Sequence, residues 1–270
     1  MVSRVLAAVP ILAALTVTVV PAQSAADARW LAQCREHWDE SRIQHCEVRI
    51  VTLARGGTIG VDPGPNGAVA VEGWGRDSIE VHARIETHAA ATEEALALAR
   101  ELRIVTAGTT ISASGPTAGH RESWGVSFVI YAPRRSDLRL DTHNGPIAVR
   151  DVTGRMTLLA YNGPVSLDGV GGDVHAHTIN GPLHIVLTGE RWDGAGLDAE
   201  TTNGPVHLAI PEGYAAELEL GTVNGPMSVA FPLTMTVQGR IGRRITTTLG
   251  AGGAPVRVVT TNGPVEIGRR

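Results

Sequence analysis

The fold is decided by the stretch LRLDTHNGPIAV at residues 138–149, in which an Asn-Gly-Pro corner separates two runs of alternating apolar residues. The same corner recurs through the second half of the chain. A unit this small cannot bury its apolar face alone and needs neighbours on both sides. The corners are Asn144 with Gly145, Asn162 with Gly163, Asn180 with Gly181, Asn203 with Gly204, Asn224 with Gly225, and Asn262 with Gly263.

The residues around each corner alternate in the way that is typical of half-buried strands. Positions six and four before the Asn are apolar in every copy, as are positions three and five after it, and the residues between them are polar or small. The position two before the Asn is Thr or Ala. Because successive side chains of a strand point to opposite faces, each unit buries one face on both sides of its corner.

Asn-Gly between two strands is also a strong hairpin signal, so a meander of hairpins is the alternative. The proline disfavours hairpins, because the residue at this place in a two-residue turn donates an N–H that proline lacks. In stacked parallel units a proline that opens the next strand removes at most one hydrogen bond between strands. Their Asn amides can bond along a column, while Gly accepts a positive φ. The prediction is an all-β, single-stranded β-solenoid or β-helix of about 18-residue coils over residues 138–270.

The spacing of the corners predicts one further unit. Successive corner Asn residues are 18, 18, 23, 21 and 38 positions apart. The last interval fits two coils, and the segment TVQGRI at 236–241 resembles a degraded copy. Gln238 is therefore the predicted seventh corner.

Residues 1–26 have the pattern of a secretory signal peptide. Arg4 precedes an apolar run at 5–20, and small residues then allow cleavage after Ser24, Ala26 or Ala28. The run is short for a membrane span, although an uncleaved anchor is the alternative. The expectation is a periplasmic or secreted protein with no stable membrane span after cleavage.

Cys34 and Cys46 are the only cysteines in the chain and lie in the predicted N-terminal segment 27–46. In an exported protein an even number of cysteines favours a disulfide, typically worth about 3 kcal/mol for a loop of this size. A zinc site that adds His37 and His45 is the alternative.

Residues 47–137 predict an irregular start to the same sheet, interrupted by one helix. Segments 48–53, 68–72, 79–85, 104–114 and 125–131 alternate as strands. The helix is predicted at about 92–103, with Thr92 as its cap and Glu93 and Glu94 at its positive end.

Several motifs in this order resemble the bacterial putative-adhesin domain family. They are CEVR at 46–49, VEGW at 71–74 followed by IEVHA at 79–83, a helix rich in Ala and Glu, and the Thr-x-Asn-Gly repeats. The resemblance covers about residues 46–270. It implies an extracytoplasmic β-helical protein of largely unassigned function, without defined binding residues to carry over.

Composition and surface columns favour a non-enzymatic binding scaffold. The net charge is −4 and aromatic residues make up 4% of the chain, so a nucleic-acid partner is disfavoured. The expected partner is a protein or polysaccharide of the cell envelope, or further copies of the chain. An accessory role in envelope stress is neither supported nor excluded by these residues.

An enzyme acting on a polysaccharide is the alternative function, since such enzymes need clustered carboxylates. Asp198, Glu200 and Glu219 are the acids expected on neighbouring coils, although acids on outward columns usually form a solvated face. No catalytic residue and no cofactor is predicted.

Four histidines are weak candidates for a metal site. His175 and His177 share one face of a strand, and His184 and His207 share an outward column about 5 Å apart if their coils stack. Neutral imidazoles at this distance could hold zinc or copper, although scattered surface histidines are the more common explanation.

Overall fold

The fold is described from a computed structural model of the chain, for residues 25–36, 42–230 and 244–270. Residues 1–24 of the predicted signal peptide, the predicted corner at Gln238 and the alternative zinc ligand His37 lie outside the described residues.

The first half of the chain contains both helices and seven strands of the described part. The helices are α1 (Ala25–Glu36) and α2 (Thr92–Glu101). The strands are β1 (Ile43–Ala54), β2 (Ile59–Asp62), β3 (Val69–Trp74), β4 (Ser78–Ala89), β5 (Arg103–Ala107), β6 (Thr110–Ser114) and β7 (Ser123–Pro133).

The second half is made of shorter strands that alternate with the corners. They are β8 (Leu138–Asn144), β9 (Ile147–Arg150), β10 (Thr153–Asn162), β11 (Val165–Asp168), β12 (Gly171–Asn180), β13 (Leu183–Val186), β14 (Gly196–Asn203), β15 (Val206–Ile210), β16 (Ala216–Asn224), β17 (Met227–Val229), β18 (Arg244–Leu249), β19 (Pro255–Asn262) and β20 (Val265–Arg269).

The prediction of a single-stranded β-solenoid is wrong. The strands form two mixed ten-stranded sheets, which we call sheet B (β1-β4-β7-β3-β9-β11-β13-β15-β20-β17) and sheet C (β18-β16-β19-β14-β12-β10-β8-β2-β6-β5). Four neighbouring pairs are antiparallel, namely β1 with β4, β4 with β7, β5 with β6, and β16 with β18. The chain therefore does not wind in one sense from end to end.

The order of the strands departs from the order of the chain at the C-terminal end. Strand β19 pairs in parallel with β14 on one side and β16 on the other, and β20 lies in the same way between β15 and β17. The unit around Asn262 thus lies between the units of Asn203 and Asn224. Between Asn224 and Asn262 the described part of the chain contains β17, β18 and β19, and β18 pairs antiparallel with β16.

The two sheets enclose one continuous apolar core. Buried and partly exposed residues alternate along nearly every strand, as in β8, where Leu138, Leu140 and Thr142 are buried. The inward side chains of both sheets belong to a single cluster that extends from Val51 to Ile267. Burial of this cluster supplies the main stabilisation of the fold.

Strands that flank the Asn-Gly-Pro corners pair in parallel and in register, as the missing proline N–H predicts. Asn162 is aligned with Asn144 and Asn180, and Asn66 joins the same row as an isolated bridge partner of Asn144. Each Asn Nδ2 donates to the Oδ1 of the next Asn at 2.8–3.2 Å. In space the series runs Asn224, Asn262, Asn203, Asn180, Asn162, Asn144, Asn66.

The buried Thr column bonds to the corners from inside. Thr178, Thr201, Thr222 and Thr260 each donate their hydroxyl to the carbonyl of the corner Gly in the adjacent unit, at 2.8–2.9 Å. Ala160 has no hydroxyl for the Gly145 carbonyl. Thr142 donates to that carbonyl instead, at 3.0 Å.

The corner glycines are needed for space and not for a positive φ, which corrects the expectation from sequence. None of the six has a φ in the left-handed region. A Cβ on Gly181 would instead lie far inside van der Waals contact with the carbonyl of Gly163, and the other corners repeat this geometry. Glycine therefore allows successive corner backbones to approach at strand spacing.

The two helices cover opposite faces of the β1–β4 end of sheet B. Helix α2 packs on the inner face, where Ala99 and Leu102 join the core and Arg49 donates to the carbonyls of both. Its N-cap is Ala91, whose N–H bonds to Glu94, so the expected cap at Thr92 is wrong by one position. Helix α1 lies on the outer face and was not predicted.

We predict that Gly181→Ala lowers the free energy of unfolding by at least about 2 kcal/mol, because the new methyl group overlaps the Gly163 carbonyl. Gly268→Ala is the matched control, since its Cβ would meet no atom within 4 Å. Urea unfolding of both variants measures the difference. Gly181→Asn should be at least as damaging, whereas a stable Asn variant would indicate that the corner requires a left-handed φ and contradict this account.

Candidate functional site

The four candidate histidines do not converge on one site. His175 and His177 lie on β12 in sheet C, whereas His184 on β13 and His207 on β15 lie in sheet B. His175 bonds to Asp173, with 3.2 Å between Nε2 and Oδ1. Among the described residues, no three His, Cys, Asp or Glu side chains are placed to hold a metal ion.

His184 and His207 form a stacked pair on neighbouring strands. Their ring centres are 5.0 Å apart and their planes differ by 7°. His207 Nδ1 lies 3.1 Å from a carboxylate oxygen of Glu266 on the next strand. Burial and, secondly, the adjacent His207 lower the pKa of His184. The nitrogen lone pairs of each ring lie in the plane of that ring, so in two parallel rings they do not converge on one point. The pair is therefore better suited to packing than to binding a metal ion.

The three candidate acids surround an arginine from the inserted unit. Strand β19 places Arg257 between β14, which carries Asp198 and Glu200, and β16, which carries Glu219. Arg257 lies 2.5 Å from Asp198, 3.4 Å from Glu200 and 3.6 Å from Glu219. Burial opposes the charge on Arg257, but the hydrogen bond and charge of Asp198 and the charge of Glu200 outweigh it, so the pKa of Arg257 is raised.

The predicted disulfide is confirmed and attaches α1 to sheet B. Cys34 on α1 is bonded to Cys46 on β1, with 6.5 Å between their Cα atoms. Both cysteines are buried. The pairing excludes the alternative zinc site, because both thiolate ligands are consumed.

A buried charged cluster holds the other end of α1 against the same sheet. Asp27 contacts the Nδ1 of His82 through one carboxylate oxygen, and its other oxygen accepts from Arg84 at 2.9–3.0 Å. The side chains of Asp27 and His82 are 1% and 2% exposed, so solvent does not screen their contact. His82 also bonds to Glu80 at 2.8 Å, through Nε2.

Beside the docked helix, the outer face of sheet B has a hollow of about 420 Å³. We call it the Trp30 groove and define it by Trp30, Asn66, Arg84, Glu86, His88 and Gly125. Trp30 comes from α1, while Arg84, Glu86 and His88 occupy alternate positions of β4. Gly125 on β7 is aligned with Glu86 and presents no side chain to the hollow.

Hydrogen bonds hold the polar side chains of the groove in place. Glu86 Oε1 accepts from Gln44 at 2.9 Å and lies 3.3 Å from His88 Nε2. His88 Nδ1 lies 3.4 Å from the hydroxyl of Ser123. The Arg84 guanidinium carbon is 5.7 Å from the ring centre of Trp30, within the range of a cation–π contact.

The sequence contained a signal for this site that was not used. Along β4 the residues His82, Arg84, Glu86 and His88 alternate with Ala83, Ile85 and Thr87, which face the interior, so one face of the strand is polar and chemically varied. Trp30 and Cys34 are four residues apart on one face of a helix. The disulfide constraint therefore places a tryptophan near that polar face once α1 is recognised as a helix.

No protein-family model and no curated protein matches this chain. Solved structures do resemble it at low similarity. A putative cell adhesion protein from Clostridium sporogenes is 9% identical with a TM-score of 0.44, covering 84% of this chain and 100% of its own. A putative adhesin from Bacteroides fragilis is 9% identical with a TM-score of 0.33, covering 82% and 97%.

A putative lipid binding protein from Parabacteroides distasonis is 8% identical with a TM-score of 0.30, covering 83% of this chain and 96% of its own. The two adhesin names agree with the family that the sequence resembles. At these identities and scores, the likenesses carry no argument about ligand or activity. Within the described residues, neither helix is long and apolar enough to cross a bilayer.

We predict that Asp27→Ala lowers the free energy of unfolding by about 2–4 kcal/mol, because it leaves the buried His82 and Arg84 without their shared carboxylate. Asp173→Ala is the control, since the Asp173 carboxylate is 43% exposed and pairs at the surface. Urea unfolding followed by tryptophan fluorescence measures both variants. Equal, small losses in the two variants would contradict a structural role for Asp27.

We predict that His207→Asn raises the pKa of His184 part of the way towards the usual value near 6.5, because burial remains after the neighbouring charge is removed. In the unaltered protein the lowered pKa means that the unfolded chain binds more protons here, so stability falls as the pH drops below about 6.5. NMR titration of the His184 ring in both proteins tests this. An unchanged pKa would show that His207 has no electrostatic effect.

Proposed function

We propose that this chain is an exported, non-enzymatic binding protein of the cell envelope and that it binds its ligand in the Trp30 groove. The groove is the observation that carries the proposal. Small-molecule sites are concave, largely preformed and lined by an aromatic surface with a few fixed polar groups. The groove has these properties, and its side chains stand on paired strands and on a helix attached by a disulfide.

The charge distribution supports binding rather than catalysis. A hydrolase or lyase needs carboxylates that are free to exchange protons or to attack substrate. Asp198, Glu200 and Glu219 instead surround Arg257, and Glu219 also lies 2.7 Å from Arg244. In the groove, Glu86 is engaged by Gln44 and His88.

Two features support export. The Cys34–Cys46 disulfide is typical of an oxidising compartment, and the apolar run at 5–20 has the pattern of a signal peptide. Among the three predicted cleavage positions, those after Ser24 and Ala26 retain Asp27 in the mature chain. The buried contacts of Asp27 favour these two positions over cleavage after Ala28.

We predict that the mature protein cosediments with isolated cell envelopes and that Gly125→Leu abolishes this. The leucine side chain would point outward into the groove, and its Cβ would lie 3.1 Å from the Asn66 carbonyl oxygen, so the backbone at Asn66 must move by a few tenths of an ångström. Tyr161→Ala is the matched control, because Tyr161 is a 48% exposed aromatic residue on sheet C.

The fractions are analysed by quantitative immunoblotting, and circular dichroism verifies that each variant is folded. We expect the unaltered protein and Tyr161→Ala in the envelope pellet and Gly125→Leu in the supernatant. Sedimentation of Gly125→Leu to the same extent as the unaltered protein would exclude the groove as the binding site, and a wholly soluble unaltered protein would contradict the function itself.

A further inference from the structure

We infer that the ligand of the Trp30 groove is a neutral saccharide, a ring with neighbouring hydroxyl groups and no net charge. This inference rests on the proposed function and adds the chemical class of the ligand. Four features point to this ligand, namely the aromatic wall, the pairing of Arg84 within the protein, the glycine floor and the paired strand β4 beneath the site.

The aromatic wall distinguishes this hollow from two others of similar volume in the described part of the chain. The hollow near Arg55 and Ile79 and the one between Gly221 and Val259 each measure about 410 Å³, so size does not separate them from the groove at about 420 Å³. Of these three hollows, the groove is the one whose lining contains tryptophan. An indole face offers a large, rigid apolar surface against which the C–H face of a sugar ring can pack.

The guanidinium in the groove lining is already paired within the protein. Arg84 binds Asp27 of α1, while Glu86 accepts a hydrogen bond from Gln44 and lies 3.3 Å from His88. A phosphate or polyanionic ligand would need an unpaired cation, and Arg84 already serves as the partner of a buried carboxylate. A neutral ligand can bind while Arg84 stays paired with Asp27.

The same groups remain able to bond to hydroxyls. A carboxylate accepts at up to four lone-pair positions, and the guanidinium, amide and imidazole groups are planar donors in fixed directions. The side chain of Glu86 is 42% exposed, and those of Arg84 and His88 are 17% and 26% exposed. Neighbouring hydroxyls on a sugar ring match such paired acceptors and donors.

Asn66, the last residue in the row of hydrogen-bonded Asn amides, also lines the groove. Its Oδ1 accepts from Asn144 at 3.2 Å, which makes its Nδ2 the terminal donor of the row. Each amide in the row is polarised by the one before it, so the terminal donor is strengthened. The corner ladder thus ends in a residue that lines the groove.

The strands beneath the groove make a peptide ligand less suitable. Strands β4 and β7 pair with each other and with β1 and β3 on their outer sides. The backbone N–H and C=O groups of β4 are therefore used within the sheet, and an added peptide strand could not pair with β4. A lipid tail would require an extended apolar lining, whereas apart from the aromatic side chains the groove is lined by polar groups and glycine.

The test is affinity electrophoresis of the folded mature protein through gels that contain dextran, laminarin, mannan or glycol chitin, a neutral polymer of N-acetylated sugars, with heparin as an anionic polymer. We expect at least one neutral polymer to retard the unaltered protein and Tyr161→Ala alike. The dissociation constant should increase at least about tenfold in Gly125→Leu and in Trp30→Ala. The separate arms distinguish plain hexose polymers from the N-acetylated sugars of the cell wall.

The inference and the proposed function can fail separately. If Gly125→Leu loses envelope binding but no neutral polymer retards the unaltered protein, the saccharide assignment is overturned and the groove remains a binding site for another ligand. If heparin alone retards the protein and added salt abolishes this, the assignment to a neutral ligand is also overturned. Equal retardation of Gly125→Leu and the unaltered protein would overturn the saccharide site.

Discussion

The structure depends on how closely the backbones of successive corners approach one another. Parallel strands lie about 4.8 Å apart, and a corner can follow that spacing only if no Cβ stands between it and the next. Glycine meets this demand at every Asn-Gly-Pro corner, for example where Gly181 lies against the Gly163 carbonyl. Asn amides outside and Thr hydroxyls inside then bond from unit to unit. The apolar core can form because these corners hold both sheets in one register.

The same constraint explains which parts of the fold can be predicted from sequence. The alternating columns and the missing proline N–H were sufficient to predict parallel, in-register strands around the corners. The order of the strands was not predictable, because every unit has Asn and Gly at its corner and all but one have Thr two positions before the Asn. Thr260 and Asn262 therefore fit between β14 and β16 as well as at the end of a row, and local sequence does not distinguish these places. This equivalence is why a continuous winding was the wrong prediction.

The Trp30 groove was missed for a different reason. Its parts come from α1, β4, β7 and the turn at Asn66, and they are brought together by the Cys34–Cys46 bond and the buried Asp27 cluster. A search for clustered residues finds Asp198 with Glu200 or His175 with His177, because these pairs are close in sequence. Those pairs lie on sheet C, where Arg257 of the neighbouring strand β19 and Asp173 of the same strand β12 supply the opposite charges. Clustering along the sequence therefore points to sheet C and not to the groove.

The location of the groove follows from the same geometry. Where the units stack in register, each outward column is a row whose neighbours are fixed at strand spacing. The hollow that includes Arg257 and Val259 lies on such units near the β18 end of sheet C. A hollow can form where this regularity ends, at the β1–β4 end of sheet B, because a helix can rise above the strands there and stand beside an empty position such as Gly125. The stacked units then act as a rigid support, and the irregular N-terminal end supplies the side chains that line the groove. A binding site on this fold is therefore expected at its end rather than along its repeated faces.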